Sequence, residues 1–469
     1  MAITRYSLSR VIKQLALIIF LIYCFSAFFL EFKAKAQPVC IIDQITDTPG
    51  GSNSRPSISS DGSRIAFDTA LNITGGNLDG NREIFLFDTN TMMFTQITDT
   101  MGASNNDAVI SSDGTSIVFD STNDIVGENP EEVSELYLFD TNAMMFTQIT
   151  DTEGEGLDSA NLSPTINSDG TRIAFETDND LTGDNTDGNH EIFLFNTNTA
   201  ATTQITDTTT GFGSANPSIN SDGIMIAFQS SQDITGSNAD GNLEIFLFNS
   251  NTVTFSEITD TMGELNVSPV VNSDVSKIAF NSTADITGNN LDENSEIFLF
   301  DTNSAMFTQI TDTTGEGNFA NTNTRISSDG TRIAFLSNRD LTGDNPDGND
   351  EIILFDTDIM TFTQITDTAG DDNFSPTINS DGSRIAFQSN HDLIGDNPEG
   401  NFEIFLARCF DGIIPGDANG DGDINILDVT ALLNDILEIS PAAGNGDCNE
   451  DLVVNILDVT CVLNIILGG

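Results

Sequence analysis

The octapeptide Ser60-Asp61-Gly62-Ser63-Arg64-Ile65-Ala66-Phe67 recurs along the chain in near copies, which makes self-similarity its main feature. Successive copies lie 52 to 56 residues apart, and their aspartates are Asp61, Asp113, Asp169, Asp222, Asp274, Asp329 and Asp381. Two further strings keep the same phase. Ile-Thr-Asp-Thr occurs seven times from Ile45 to Ile365, and Glu-Ile-Phe-Leu-Phe or a variant begins at Glu83, Glu135, Glu191, Glu244, Glu296, Glu351 and Glu403. A period of this length is typical of repeat architectures.

Each repeat predicts four short strands. In the first, residues 56–59 and 64–68 flank Asp61-Gly62, a tight-turn signal because glycine accepts a positive φ. Residues 83–88 and 94–98 flank a second turn around Asn90-Thr91. Four-stranded repeats of this length predict an all-β fold, a β-propeller with seven blades, over residues 37–410. A β-solenoid is the weaker alternative, since each repeat carries two hairpins.

The phase of the repeats predicts a closed ring. Residues 40–46 match the last strand of a repeat, whereas the seventh repeat ends with its third strand, Glu403 to Cys409. An N-terminal strand that completes the last blade removes both free sheet edges.

The ring closure also predicts a disulfide. Aligned on an ordinary blade, Cys409 takes the place of Thr89 and Cys40 that of Met92, the residues that flank the Asn90-Thr91 turn. Facing residues of a hairpin have Cβ atoms about 4.5–5.5 Å apart, near enough to bridge. A Cys40–Cys409 bond would replace the missing turn. Cys448 and Cys461 remain as a possible second pair without geometric support.

The strings Pro-Ser-Ile-Ser-Ser-Asp-Gly-Ser-Arg-Ile-Ala-Phe (56–67) and Glu-Ile-Phe-Leu-Phe-Asp (83–88) resemble the TolB-type propeller repeat, a relative of WD repeats. The resemblance covers residues 40–410 and departs from the pattern at Val275, which replaces the turn glycine. It implies protein binding in the periplasm, or a propeller that accompanies a separate catalytic domain.

The charge of the chain excludes some partners. The net charge is −57, and residues 37–469 hold ten basic against 71 acidic residues. Such a surface repels nucleic acid and anionic lipid, so we expect neither as a partner. With 38% apolar residues and 33 phenylalanines, the composition still supports a packed core.

Residues 1–36 predict a secretory signal peptide. Arg5, Arg10 and Lys13 precede the apolar run 15–30, and Ala34-Lys35-Ala36 offers small residues for cleavage before Gln37. An uncleaved membrane anchor is the alternative. We therefore expect a secreted protein, either extracellular or periplasmic or cell-surface associated, in an oxidising compartment with no membrane contact after cleavage.

The C-terminal region predicts two calcium loops of twelve residues. Oxygen ligands at loop positions 1, 3, 5, 7, 9 and 12 fit Ca²⁺, with position 7 acting through its backbone carbonyl and position 9 through water. In the second loop Leu452 replaces the turn glycine, Gly422 of the first. The predicted ligands are Asp417, Asn419, Asp421, Asp423, Asn425 and Asp428, and then Asp447, Asn449, Asp451, Val453, Asn455 and Asp458.

Each loop leads into a helix-like apolar pattern, and no such pattern precedes either loop. Loop–helix units that repeat after 30 residues resemble a type I dockerin, a small α-helical, EF-hand-like module. The resemblance covers residues 415–469, and we assign the domain itself to residues 417–469 after a linker, 411–416. It implies a cohesin-like protein partner, and in dockerins loop positions 10 and 11 meet that partner. Here those positions are Ile426, Leu427, Ile456 and Leu457.

Catalytic signals are scarce in the propeller. The chain has only His190 and His391, no Trp, and one Tyr after residue 36, Tyr137, whereas sugar sites usually stack pyranose rings on Trp or Tyr. We therefore predict no catalytic residues and a secreted, non-catalytic binding or scaffold protein, with both histidines at the surface. The alternative is a carbohydrate-active O-glycosyl hydrolase, or a glycan-binding component of a polysaccharide-degrading assembly. It stays open because sequence alone does not distinguish a catalytic pair of carboxylates from accidental pairs among 71 acidic residues. The acidic blade loops, such as residues 180–191, fit either calcium binding or plain Asn/Gly-rich turns.

Overall fold

The computed structural model describes residues 37–410, except 103, 131, 153–160, 210–212, 315–320 and 371–372. It also describes residues 428–431, 448, 459, 461–462 and 465. Residues 40–409 form one compact unit. Among the residues so described, no helix has the length and hydropathy needed to cross a membrane.

Twenty-eight strands follow one another between residues 39 and 410. They are β1 Val39–Gln44, β2 Asn53–Ile58, β3 Arg64–Thr69, β4 Glu83–Asp88, β5 Met93–Gln96, β6 Asn105–Ile110, β7 Ser116–Ser121, β8 Glu135–Asp140, β9 Met145–Gln148, β10 Asn161–Ile166, β11 Arg172–Thr177, β12 Glu191–Asn196, β13 Ala201–Gln204, β14 Ser214–Ile219, β15 Met225–Ser230, β16 Glu244–Asn249, β17 Thr254–Glu257, β18 Asn266–Val271, β19 Lys277–Ser282, β20 Glu296–Asp301, β21 Met306–Gln309, β22 Asn321–Ile326, β23 Arg332–Ser337, β24 Glu351–Asp356, β25 Thr361–Gln364, β26 Asn373–Ile378, β27 Arg384–Ser389 and β28 Glu403–Phe410.

The strands form seven antiparallel sheets of four, which are the blades of a β-propeller. Six blades are built from consecutive strands, beginning with β2-β3-β4-β5 as blade 1. Blade 7 has the order β1-β28-β27-β26, so the N-terminal strand completes the last sheet. The seven-bladed, all-β prediction and the predicted closure are confirmed.

The Ile-Ala-Phe string places its side chains on alternate faces of the second strand, since successive strand residues point to opposite sides. Ile65 and Phe67 pack against Ala386 and other apolar residues of blade 7. Ala66 points the other way and meets Phe119 of blade 2. Most interfaces therefore set the small alanine of one blade, or Val118 in blade 2, against the large phenylalanine of the next, and the core lies between the blades.

A buried glutamate begins the third strand of every blade, and at six of the seven junctions it accepts a hydrogen bond from an asparagine of the next blade. Glu83 accepts hydrogen bonds from the backbone N–H of Thr100 at 2.6 Å and from Nδ2 of Asn105, in blade 2, at 2.9 Å. At the closing junction Glu403 accepts from Thr48 N–H and from Asn53 Nδ2, both at 2.8 Å. The repeated Glu, Thr and Asn of the sequence are thus one structural network.

The Ser-Asp-Gly turns form one end of the central channel, which we call the turn end. At all seven junctions a turn N–H donates to a carbonyl of a neighbouring turn, from Ser60 to Ser112 at 2.9 Å around to Ser380 to Ser60 at 3.0 Å. Basic residues at the start of the second strand brace the same end. The side-chain donors Arg64, Lys277, Arg332 and Arg384 each reach the carbonyl of the next blade's turn, at 2.6–3.2 Å.

Two disulfides are present. Cys40 and Cys409 are bonded, with Cα atoms 4.0 Å apart across the junction of β1 and β28, which confirms the predicted pair. Cys448 is bonded to Cys461, the pair for which the sequence offered no geometric reason. The ion pair between Arg408 Nε and Asp43, at 2.7 Å, joins the same two closing strands.

Most predictions for the N- and C-terminal regions concern residues that the structure does not describe. These are the signal peptide 1–36, the linker 411–416, the calcium ligands Asp417, Asn419, Asp421, Asp423, Asn425, Asp447, Asn449, Asp451, Val453, Asn455 and Asp458, and the partner-binding residues Ile426, Leu427, Ile456 and Leu457. Asp428 is described; it is fully buried at the start of the helical residues 428–431. The predicted α-helical calcium-loop domain therefore stays a prediction.

Candidate active site in the central channel

The inner strands of all seven blades line a cavity of about 630 Å³ on the propeller axis. Its size falls within the ~300–1,000 Å³ that is common for small-molecule sites. Two rings of residues face it, at the third and fifth positions of each inner strand. No aromatic side chain is among the residues that line it.

The third-position ring has an unusual backbone. Its members have φ between 49° and 54°, the left-handed region, and each lies where the register of the first two strands shifts. They are Arg55, Asp107, Ser163, Asn216, Ser268, Asn323 and Ser375. Left-handed non-glycine residues carry backbone strain that concentrates at binding and active sites. The bulge lengthens the inner strand, so β2 begins at Asn53 rather than at the predicted residue 56.

An ion pair stands in this ring. Arg55 Nη1 of blade 1 lies 2.5 Å from Asp107 Oδ1 of blade 2, and both side chains are 44% exposed, toward the cavity. The backbone N–H of Arg55 donates to Gln388 Oε1 at 2.9 Å, which holds the bulge in place. The same contact recurs in blade 5, where Ser268 N–H donates to Gln229 Oε1 at 2.8 Å. Side chains of the preceding blade thus fix the residues that face the cavity.

Acidic groups lie behind the ion pair, at the fifth position of the second strand. Burial raises the pKa of Asp68 to about 7, although the neighbouring arginines Arg82 and Arg55 oppose it. Burial also raises the pKa of Asp120 to about 6, and the nearby Asp107 carboxylate adds to the effect. Asp120 accepts a hydrogen bond from Asn106 Nδ2 at 3.2 Å. Carboxyl groups that hold a proton near neutral pH, beside a cavity, are typical of acid–base sites.

Neither histidine is fully exposed. His190 is half-buried, and its charge stabilises the ionised form of Glu176, whose pKa burial raises. His391 is also half-buried, in the equivalent loop of blade 7. The surface prediction is therefore correct only in part.

The acidic blade loops use their polar side chains internally. Asp180 Oδ1 accepts the N–H groups of Gly183 and Asn185, at 2.7 and 3.1 Å, and Asn185 Nδ2 donates to the carbonyl of Asn189. Blade 6 repeats these contacts around Asp340. Across the described part of the chain, no three His, Cys, Asp or Glu side chains converge as metal ligands would. The contacts favour the turn interpretation of these loops.

The sequence matches no protein-family model and no curated protein. Solved structures are similar at the level of the fold. An oligogalacturonate lyase in complex with manganese is 15% identical, with a TM-score of 0.52, over 80% of this chain and 98% of that one. The oligogalacturonate lyase of Vibrio parahaemolyticus is 16% identical, with a TM-score of 0.53 and the same coverage. A prolyl endopeptidase is 11% identical, with a TM-score of 0.50, over 80% of this chain and 52% of that one.

These likenesses correct one prediction. From sequence we expected a non-catalytic binding or scaffold propeller, and that expectation is wrong, because the similar propellers belong to a lyase and a peptidase. The alternative, a carbohydrate-active protein, fits them better. The identities are low enough that the comparison itself establishes the shared fold, the seven-bladed propeller.

The sequence analysis missed Arg55, Asp107, Asp68 and Asp120. The signal for Arg55 and Asp107 was a departure from the repeat, because the third position of the inner strand is Ser or Asn in five blades but charged in these two. Residues that break an otherwise regular repeat without a structural need are the ones to examine first.

Proposed function

We propose that this chain is a secreted, carbohydrate-active enzyme whose active site is the central cavity. The observation that carries the proposal is the Arg55–Asp107 pair at the cavity, with Asp120 behind it. The names of the similar lyases support carbohydrate as the substrate class.

Cleavage of a glycosidic bond, by hydrolysis or by elimination, needs a base and an acid near the scissile bond. Asp107 faces the cavity and is the candidate base. Asp120 does not line the cavity; with its pKa raised to about 6 by burial and by the Asp107 carboxylate, it is the candidate positioning group behind Asp107. Arg55 is placed to stabilise negative charge on the substrate. The described side chains offer no metal cluster, so no step is derived through manganese.

Asp107→Asn is expected to lower turnover at least ~100-fold, because loss of a positioned acid–base group costs about that much. The fold should survive, since asparagine already occupies this left-handed position as Asn216 and Asn323. Turnover is measured on a panel of polysaccharides by new reducing ends, and by ultraviolet absorbance for the unsaturated products of a lyase.

The matched control is Asp99→Asn, which makes the same charge change at an exposed residue away from the cavity. Equal activity of Asp107→Asn and the wild type, or no turnover of any glycan by the wild type, would refute the proposal.

We also propose that residues 417–469 are a dockerin-like module that binds two Ca²⁺ ions and attaches the enzyme to a cohesin-like protein in a polysaccharide-degrading assembly. The support is the spacing of the two loops and the burial of Asp428 beside the start of a helix. About 50 residues are too few for a secure core, so the metal is expected to supply folding energy.

Chelation of the mature protein is expected to remove the helical circular dichroism of this module and to abolish capture of a partner from the secretome. Asp417→Ala should reproduce the loss at the first loop, whereas Asp435→Ala, outside both loops, should not. Retention of the helical signal and of partner capture after chelation would contradict the proposal.

A further inference from the structure

A single arginine breaks the second ring of residues that face the cavity. At the fifth position of the inner strands six blades carry small or β-branched residues, each opposite the alanine, or valine in blade 2, of the next strand. These residues are Ser57, Val109, Thr165, Ser218, Val270 and Thr377. In blade 6 the position holds Arg325, opposite Ala334.

Arg325 has no partner of opposite charge among the described residues. Its one hydrogen bond runs from Nη1 to the carbonyl of Thr324 at 2.9 Å. The side chain is exposed to the cavity although it lies on an innermost strand. Protein surrounds it closely enough that desolvation lowers its pKa, and no carboxylate acts against this effect. An enclosed guanidinium with unused donors is placed to bind an anion.

The other basic residues of the mature chain make structural contacts or lie at positions of the repeat other than that of Arg325. Four of them brace the turn end, Arg55 pairs with Asp107, Arg82 with Asp68, and Arg408 with Asp43. A bracing role is not open to Arg325, because it is not in the second strand and touches no turn carbonyl.

The charge of the cavity is opposite to that of the molecule. Basic residues are ten against 71 acids in residues 37–469, yet two of the three charged residues that line the cavity are arginines. Asp107 pairs with Arg55, and Asp68 and Asp120 lie behind that pair, whereas no carboxylate acts on Arg325. Repulsion from the acidic surface is screened beyond about 8 Å at physiological ionic strength, so the local charge governs what binds.

We propose that Arg325 binds an oxyanion of the substrate and thereby selects acidic oligosaccharides. This inference rests on the proposed function for the identity of the ligand as a sugar. The cavity offers no aromatic platform among the residues that line it, so affinity must come from polar and charged groups. A planar guanidinium receives a carboxylate through two parallel hydrogen bonds, which favours a uronate, and a sulfate presents the same oxygen chemistry.

The test compares binding of three probes by calorimetry at physiological ionic strength: trigalacturonate, its fully methyl-esterified and therefore neutral form, and a sulfated trisaccharide. We expect one acidic probe to bind at least tenfold more tightly than the neutral ester. Arg325→Ser is expected to remove that preference and leave binding of the ester unchanged. Serine already stands at the equivalent positions 57 and 218, where it accepts an inner-strand N–H of the next blade, so the variant should fold.

Arg172→Ser is the matched control, since it removes the same charge at the turn end, beside Gly223 and away from the cavity. Preference for trigalacturonate identifies the carboxylate as the anion, and preference for the sulfated probe identifies sulfate. Equal binding of acidic and neutral probes, or an acidic preference that survives Arg325→Ser, overturns the inference. Binding that depends on Arg325, without any turnover, would support the inference and refute the proposed enzymatic function. Turnover that is unchanged in Arg325→Ser would support the enzymatic function and refute the inference.

Discussion

Replacement of Cys40 and Cys409 together by serine is expected to lower the melting temperature of the propeller by roughly 6 °C. The bond closes a loop of 369 residues. The chain-entropy model gives about 5 kcal/mol or more for a loop of that length, as an upper estimate. A domain of this size has an unfolding entropy of roughly 0.8 kcal/mol/K at its melting point, which converts the free energy into that temperature change.

The structure explains why this junction depends on the disulfide. At the other six junctions within blades, a short turn connects the third and fourth strands, but β1 and β28 come from opposite ends of the chain. The remaining side-chain link between these strands, Arg408 to Asp43, is more than a third exposed on both sides and contributes at most about 1 kcal/mol.

Differential scanning calorimetry of the double variant measures the effect. The control is the variant with serine at both 448 and 461, whose bond spans 13 residues outside the propeller and whose loss should leave the propeller transition in place. An unchanged propeller transition in the Cys40/Cys409 variant would contradict the role of this bond in ring closure.

The fold was predictable because the same pattern of strands and turns recurs seven times in the sequence. Strand bounds at Arg64–Thr69 and Glu83–Asp88 agree with the sequence pattern to within one residue, since a turn glycine and a run of consecutive apolar residues define them. The closure and its disulfide followed from the phase of the repeats. Both depend on local pattern and connectivity, which a single sequence contains.

The site was not predictable by the same means. The bulge at Arg55 has no sequence signature of its own, because Ser, Asn, Asp and Arg all occupy that position. The raised pKa of Asp68 depends on burial between blades, which no spacing along the chain reveals. At Val275 tertiary packing outweighs local conformational preference, because it holds a β-branched residue at a φ of 58°, where the other blades use glycine.

The absence of Trp and the scarcity of Tyr led to the non-catalytic prediction. That inference assumed that a sugar site needs an aromatic platform. The cavity instead presents Arg55, Asp107 and Arg325, so under the proposed function charged groups would take the place of stacking. Departures from the repeat at these three positions were visible in the sequence, but only the structure brings them to one cavity.

The protein is expected to be more stable near pH 5 than near pH 8. Burial raises the pKa of five repeat glutamates, although hydrogen bonds from threonines oppose it; they are Glu135, Glu191, Glu244, Glu296 and Glu403. Burial raises the pKa of Asp68 to about 7 and that of Asp120 to about 6. Between the ordinary and the raised pKa the folded state holds protons that the unfolded chain has released. Stability therefore falls as the pH rises through this window.

The size of the effect follows from Asp68, which is fully buried. With a pKa of about 7 in the folded state against 3.8 in the unfolded chain, it changes the free energy of unfolding by about 2 kcal/mol between pH 5 and pH 7. Repulsion among the excess carboxylates acts in the same direction. Hydrogen bonds from Thr171 and Ser276 lower the pKa of Asp169 and Asp274, so these turn residues contribute stability that is lost only below their ordinary value of 3.8.

Calorimetry at about pH 5 and about pH 8, in excess calcium, measures the difference in melting temperature. Asp68→Asn should reduce that difference, because the amide no longer titrates in the window. Asp301→Asn is the control, since hydrogen bonds from Ser304 lower the pKa of this half-buried residue at the end of β20 and place its titration below the window. A melting temperature that is constant or rises from pH 5 to pH 8 would show that the buried carboxyl groups keep their ordinary pKa in the folded protein. A pH dependence that Asp68→Asn leaves unchanged would exclude Asp68 as its main source.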